Sequence, residues 1–276
     1  MPSIPHDRLS IGAFYNPHLA EFTLVHPDLI DHLAMADPPA IDDEIFPQIQ
    51  STFPLLLHDY LGQLSDPLSE FALQRARTLQ DRYRSPWVAE HFQCLHTQDH
   101  SRSLDYVFPP LYTEEFLQRF CENALILRDA VDAPLVMENI PGFFSVLRAQ
   151  MSEAEFLCRF FERTSCGFLI DLPHIWLAAH YRGVDAKQYL ADFPLDRVVE
   201  IHVAGVEFNR DLQGPWIAPT PPNTEILQLA CWVAERAPKL RAVTVDVFSP
   251  TVTAAQLQDS MRLTRAAFAT ARSAAS

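Results

Sequence analysis

Eight short apolar runs recur along the chain, and their recurrence limits the folds open to it more than any other feature. They are Leu9–Tyr15, Leu29–Met35, Phe53–Asp59, Trp87–Cys94, Pro134–Asn139, Gly167–Leu172, Val198–Ala204 and Ala242–Phe248. Each has the length of a strand buried on both faces, and Pro or Gly lies near many of their ends. Helical patterns fill most of the intervals. Asp66-Pro67-Leu68-Ser69-Glu70 offers an acidic cap and a first-turn proline to a helix whose interior is Phe71–Arg82. Thr113-Glu114-Glu115-Phe116 opens a second that runs to about Ala130. Ser152 and Glu155 form a capping box before Phe156. Asp185–Leu190, Thr224–Arg236 and Ala254–Ala269 complete the set, whereas proline-rich Asp37–Ile49 has room for only a turn of helix.

Strands alternating with helices predict an α/β fold, a single closed (β/α)8 TIM barrel spanning 1–276 as one domain. The length of 276 residues fits, since about 250 is typical of such barrels. No linker or low-complexity segment divides the chain, and Pro215–Pro222 reads as a long loop after the seventh strand. The competing architecture is a doubly wound sheet, whose ligand site would also lie at strand ends.

What stands at the C-terminal ends of the strands therefore decides function. The third run ends in His58-Asp59, the fourth holds Glu90-His91, and the fifth ends in Glu138-Asn139. The sixth gives Asp171-Leu-Pro-His174, the seventh holds Glu200 and His202, and the eighth reaches Asp246. Glu200 and His202 are two apart and so point to one side of their strand. Polar groups inside an aliphatic strand are costly without compensation, and a metal ion is a common compensator. Three imidazoles and three carboxylates converging without a cation would repel or demand large pKa shifts. Carboxylate oxygen mixed with imidazole suits divalent iron, manganese or zinc. Any one of these residues alone is more often an ordinary core or surface group; six successive strand ends make coincidence the poorer account.

The other candidates read more plainly. Cys94, Cys121, Cys158, Cys166 and Cys231 form no C-x-x-C pair and are odd in number, which points to reduced thiols and not to a disulfide framework or zinc ribbon. Trp87, Trp176 and Trp232 read as packing. His96, His100 and His180 read as solvated, with His180 close enough to the sixth strand to line a pocket. Phe143-Phe144 fits either an apolar substrate wall or a loop tucked under a helix. A net charge of −14 argues against nucleic acid as partner, because phosphate contacts need clustered cations. Lysine occurs only at Lys187 and Lys239, so a Schiff-base role has few candidates. No signal-peptide pattern and no apolar run near the roughly 20 residues of a membrane span occurs, and a cytoplasmic location is the default expectation.

Glu90-His91, Met-Glu138-Asn139, Ile-Asp171-Leu-Pro-His174 with His180 and Gly183, and Glu200-Ile-His202-Val-Ala-Gly205 resemble the multinuclear non-heme iron-dependent oxidative enzymes. That family includes the oxidase of methanobactin biosynthesis. The likeness runs from about Phe53 to Phe248 and is densest between Glu138 and Gly205. It implies a barrel of the xylose-isomerase-like type. It also implies iron sites that use O2 to rewrite cysteine or other residues of a ribosomally made precursor peptide. By correspondence with the trinuclear-zinc endonucleases of the wider superfamily, His58, His91 and Glu138 would hold one metal, and a bridging Glu138 with Asp171, His202 and Asp246 would hold a second. His174 would join a third with an Asp-x-His after the seventh strand. Here that stretch reads Pro215-Trp-Ile-Ala-Pro-Thr-Pro-Pro, the family's Ala-Gly-His becomes Ala204-Gly205-Val206, its closing Glu is Asp246, and its His-x-Glu-Asn near the second strand is Ala36-Asp37-Pro38-Pro39.

Two irons are the natural expectation. His174 then lines the pocket or acts as acid or base, with Glu90, Glu200 and Asn139 as the other candidate catalytic groups. Glu90 and Glu200 would orient His91 and His202 or their neighbours. The peptide would arrive with a recognition protein, since no separate peptide-binding segment is visible. Two other classes compete: a divalent-metal sugar isomerase or epimerase on the same barrel, and a degenerate barrel serving as a binding subunit.

Overall fold

The computed structural model describes residues 2–5, 7–36, 44–96, 103–142, 146–211, 213–246 and 249–275. The strands, in chain order, are β1 (Ser10–Phe14), β2 (Leu33–Met35), β3 (Leu55–His58), β4 (Val88–His91), β5 (Cys94–His96), β6 (Ser103–Phe108), β7 (Leu135–Glu138), β8 (Gly167–Asp171), β9 (Val198–Val203), β10 (Gly205–Asn209), β11 (Gly214–Ala218) and β12 (Ala242–Val245). The helices are α1 (Ala20–Val25), α2 (Phe46–Thr52), α3 (Glu70–Tyr83), α4 (Glu114–Val131), α5 (Glu153–Thr164), α6 (Leu172–Arg182), α7 (Ala186–Tyr189), α8 (Thr224–Ala234) and α9 (Ala254–Ala275).

Eight of the strands close into a parallel barrel in the order β1-β12-β9-β8-β7-β4-β3-β2. Every expected run supplies one of them. Leucine, valine and isoleucine dominate because each strand is covered on its outer face by helices. Period-two alternation turns the other face inward, where Phe14, Ala34, Leu56, Ala89, Val136, Leu169 and Ala242 pack with Trp87 and Ile4 in one apolar cluster. Among the described residues no helix is long and apolar enough to cross a membrane.

Helix starts follow local chemistry. Thr113 and Ser152 cap α4 and α5 by accepting the N–H of Phe116 and Glu155. The cap of α3 is Ser69, which accepts from Ala72 at 3.1 Å, so Asp66 and Pro67 lie before the helix and not in its first turn. Three further readings need correction. The stretch from Pro215 is no open loop: β10 and β11 form an antiparallel hairpin pairing Gly205 with Ala218 and Asn209 with Gly214. The Trp87–Cys94 run splits, because Cys94 opens a second hairpin of β5 and β6. An unexpected helix, α6, begins directly after β8, with Asp171 as its cap, Pro173 in its first turn and Gly183 ending it at a φ of +66°. Residues 37–43 of the Asp37–Ile49 interval, His100, Phe143-Phe144, and Phe248 at the end of the eighth run lie outside the described residues; α2 runs past Ile49 to Thr52.

Candidate metal centre

The expected site residues stand together at the C-terminal mouth. His58, His91, Glu138 and Asp171 are the last residues of β3, β4, β7 and β8, His202 is the last but one of β9, and Asp246 follows β12. Register explains the convergence, since His91 pairs with Glu138 and Asp171 with His202 on neighbouring strands, which puts their side chains on the inner face together.

Glu138 is the hub. Its Oε2 lies 2.8 Å from His58 Nε2 and 2.8 Å from His91 Nε2, and those two nitrogens are 3.0 Å apart. Its Oε1 lies 3.7 Å from His202 Nδ1 and 3.8 Å from His174 Nδ1. Three overlapping triads each bring their donor atoms within 4.8 Å: His58, Glu138 and His202; Glu138, Asp171 and His174; Asp171, His202 and Asp246. Glu138 Oε2 and His202 Nδ1 are buried yet have no hydrogen bond of acceptable geometry. Buried polar atoms are seldom left so. Oxygen and imidazole donors facing one small volume, with orphaned atoms aimed into it, suit a divalent transition ion.

The supporting groups reach the site from different sides. Glu90 and His91 are adjacent, so they point to opposite faces of β4. Glu90 Oε2 accepts the N–H of Leu61 and of Gly62, at 2.6 and 3.0 Å, while Oε1 takes the His91 N–H and lies 3.4 Å from His91 Nδ1. Glu200 sits one layer below His202, with Oε1 at 3.3 Å from His202 Nε2 and 2.5 Å from the Thr244 hydroxyl. Its Oε2 accepts Trp87 Nε1–H at 2.8 Å, so Trp87 is more than packing. Asn139 grips Asp171 by backbone at both ends, donating to its carbonyl at 3.1 Å and accepting its N–H at 2.9 Å. The amide of Asn139 is thereby turned onto β8, while its own carbonyl holds His174 Nδ1 at 2.9 Å. Asp171 Oδ1 caps α6 through the His174 N–H at 2.7 Å.

Electrostatics follow from this packing. Burial pulls the His91 imidazolium down, but Glu138 and Glu90 outweigh it and carry its pKa up to about 10. Burial likewise opposes charge on His202, which Glu200 and Glu138 raise to about 9. Glu138 would be raised by burial, yet His91 and His58 hold it well below the usual carboxylate range. Burial lifts Asp171 to about 6, with His174 pulling down and Glu138 pushing up. Glu200 resists burial through His202, His32 and Thr244, and falls to about 2.

Several site neighbours escape a search for polar groups at strand ends. Tyr60 stacks on His91 at 4.6 Å, and Phe14 meets His58 and His202 at 5.3 and 5.7 Å, so both rings wall the mouth. Spacing of two from His58 was the available signal for Tyr60. His32, just before β2, is wholly buried against Thr244 and had no such signal. His180 is exposed and stacks on Trp176 at 5.4 Å, lining a cleft beside α8 instead of the mouth. Burial raises the Cys94 thiol to about 11, which suits an inert structural group.

Residues 16–218 match the family described as RiPP precursor modification enzyme MbnB/TglH/ChrH. A UPF0276 protein of Caulobacter vibrioides is 32% identical over 166 residues, 59% of this chain and 59% of its own length. The chain thus spans about three fifths of that relative. UPF0276 protein RB0508 of Rhizobium meliloti is 30% identical over 225 residues, 77% of this chain and 71% of the relative. Among solved structures, a xylose isomerase domain containing protein from Salmonella typhimurium LT2 superposes with a TM-score of 0.63 at 11% identity, over 96% of this chain and 98% of that one. That likeness establishes the xylose-isomerase-like barrel and nothing of the chemistry.

Proposed function

The chain belongs to the MbnB/TglH/ChrH family of RiPP precursor modification enzymes, and from that premise we propose that it is a non-heme, two-iron, O2-using oxidoreductase. Its substrate would be a ribosomally synthesised precursor peptide, with cysteine the foremost residue modified. The observation that carries the reading is the convergence of six His, Glu and Asp side chains with Glu138 at their centre, where Glu138 Oε2 and His202 Nδ1 are buried without hydrogen bonds.

His58, His91 and Glu138 would hold one ion, and Glu138, Asp171, His202 and Asp246 the other. The two oxygens of Glu138 face opposite halves of the cluster, which suits a bridging carboxylate. Bound iron supplies a redox couple for O2 and a Lewis acid that lowers the pKa of a substrate thiol. The chain's own groups do the rest. Glu90 and Glu200 orient His91 and His202 by taking the hydrogen on the nitrogen turned away from the cluster. Asn139 fixes the backbone from which Asp171 projects. His174 keeps a hydrogen on Nδ1 for the Asn139 carbonyl, which leaves Nε2 to accept or return a substrate proton. Tyr60 and Phe14 exclude water above the imidazoles. A separate recognition protein would deliver the peptide, and the enzyme would work in the cytoplasm.

Protein from iron-supplemented cells should carry about two metals per chain, and O2 uptake should accompany change in a cysteine-bearing peptide. Less than half a metal in a folded protein would overturn the proposal. Turnover of a sugar in the absence of O2 would favour an isomerase instead.

A further inference from the structure

We propose that His32 is a positioning residue that fixes which nitrogen of His202 faces the metal centre, acting through Thr244 and Glu200. The inference rests on the reading of His202 as a metal ligand.

The ring of His32 is wholly buried inside the barrel. Its Nδ1 lies 2.8 Å from Ser10 Oγ and its Nε2 lies 2.9 Å from Thr244 Oγ1. Thr244 Oγ1 is in turn 2.5 Å from Glu200 Oε1. Donor and acceptor rules give this chain one direction. An ionised carboxylate only accepts, so the single hydroxyl hydrogen of Thr244 points to Glu200. Thr244 then has only lone pairs for His32, and Nε2 of His32 must carry the ring hydrogen. Burial pushes the His32 pKa down to about 4, so the ring is neutral and its bare Nδ1 accepts from the Ser10 hydroxyl. Glu200, already taking hydrogens from Thr244 and Trp87, can only accept from His202 as well. His202 therefore keeps a hydrogen on Nε2 and presents Nδ1, the atom without a hydrogen bond, towards Glu138 and Asp171.

A buried neutral histidine with two hydrogen bonds could be simple core filling. Two observations argue for more. The chain of hydrogen bonds ends on the unused side of a candidate ligand, and all its members are inner-face groups of β1, β9 and β12 or of the residue just before β2. Space for the ring is also made on purpose-built backbone: a Cβ at Gly12 would lie 2.2 Å from the His32 carbonyl oxygen and 2.5 Å from the ring. Without His32, the lone pair of Thr244 loses its donor, and the hydroxyl is free to turn to a backbone carbonyl.

The test compares His32→Leu with His32→Gln, whose amide can donate to Thr244 and accept from Ser10. The readouts are zinc affinity by chelator competition and the imidazole 15N spectrum of the zinc-loaded protein. Wild type should show His202 bound through Nδ1 with a slowly exchanging Nε2–H. Leu should weaken zinc about tenfold and speed that exchange, Gln should restore both, and Leu added to Thr244→Val should cost little more. Wild-type affinity and spectrum in a folded Leu variant would overturn the proposal, as would a Gln variant as impaired as Leu. Should Leu not fold, the contrast of Gln with Thr244→Val decides in the same way. If wild type binds no zinc, the metal reading fails separately, and the metal-free protein still reports: His202 Nε2–H exchange should rise about tenfold in Leu and not in Gln, and equal rates would refute the role of His32.

Discussion

Metal binding at this cluster should expel protons, and the number is set by the two imidazoles that Glu138 and its neighbours hold in the charged form. In the metal-free protein the neighbouring carboxylates carry the pKa of His91 up to about 10 and that of His202 up to about 9, so at pH 7 both keep a hydrogen on the nitrogen an ion would need. Removing it at pH 7 costs about 4 kcal/mol at His91 and about 3 kcal/mol at His202, at 1.36 kcal/mol per pH unit. Loading both ions should therefore release about two protons per chain, and the logarithm of the overall binding constant should climb with a slope of about two between roughly pH 6.5 and 8.5. Below about pH 6 the slope should steepen, because Asp171, lifted to about 6, must also lose its proton. Calorimetric titration with zinc in buffers of differing ionisation enthalpy measures the proton number directly. Release of fewer than about half a proton at pH 7 would show that the imidazoles are neutral before metal arrives, and the account of the cluster's charge would be wrong.

The same charges make two further predictions. Glu138→Gln should drop metal content below one ion per chain by elemental analysis, and should destabilise the metal-free protein by about 3 kcal/mol in urea at pH 7, since it strands imidazolium charge that is buried and paired. Stability of the metal-free wild type should fall as pH rises: the folded pKa values of His91 and His202 lie above 6.5, so their contribution is complete below that value and is lost through about 9 to 10. Chemical denaturation at pH 7 and at pH 10 tests this, and equal stability at both would contradict it.

The barrel was legible because strands buried on both faces must be apolar throughout, and such runs stand out against helical intervals. The cluster of candidate ligands was legible for the same reason, since His58, Glu138 and Asp171 interrupt those runs where a barrel opens. The hairpin of β10 and β11 was not. Glu207, Phe208 and Trp216 face solvent, so no core imposes an apolar run, and Pro215 with the prolines that follow β11 reads as loop. Helix α6 hid because Asp171 both ends a strand and caps a helix, and Leu-Pro looks like a break when it is a first turn. Trp87 reads as filling because its one polar atom matters only once Glu200 is known to lie within hydrogen-bond reach of it. His32 carries no comparable signal, because it stands at the incoming end of a three-residue strand and not at the end that opens on the mouth.

Strand parity also separates the two supporting carboxylates more sharply than their shared task suggests. Glu90 neighbours its imidazole in sequence and so lies on the other face of β4, where the loop backbone at Leu61 and Gly62 satisfies one oxygen and His91 the other. Its hold on His91 is tied to the position of that loop, which also carries Tyr60 over the ring. Glu200 is two residues from its imidazole and stays inside the barrel, where Trp87 and Thr244 satisfy it. Movement of the loop at the mouth would therefore reach the candidate metal centre through His91 and Glu90. His202 is held from within a closed ring of strands, where no comparable movement is available without breaking the sheet. The two halves of the cluster thus differ in kind: one is open to adjustment by whatever docks at the mouth, and the other is fixed by the barrel itself.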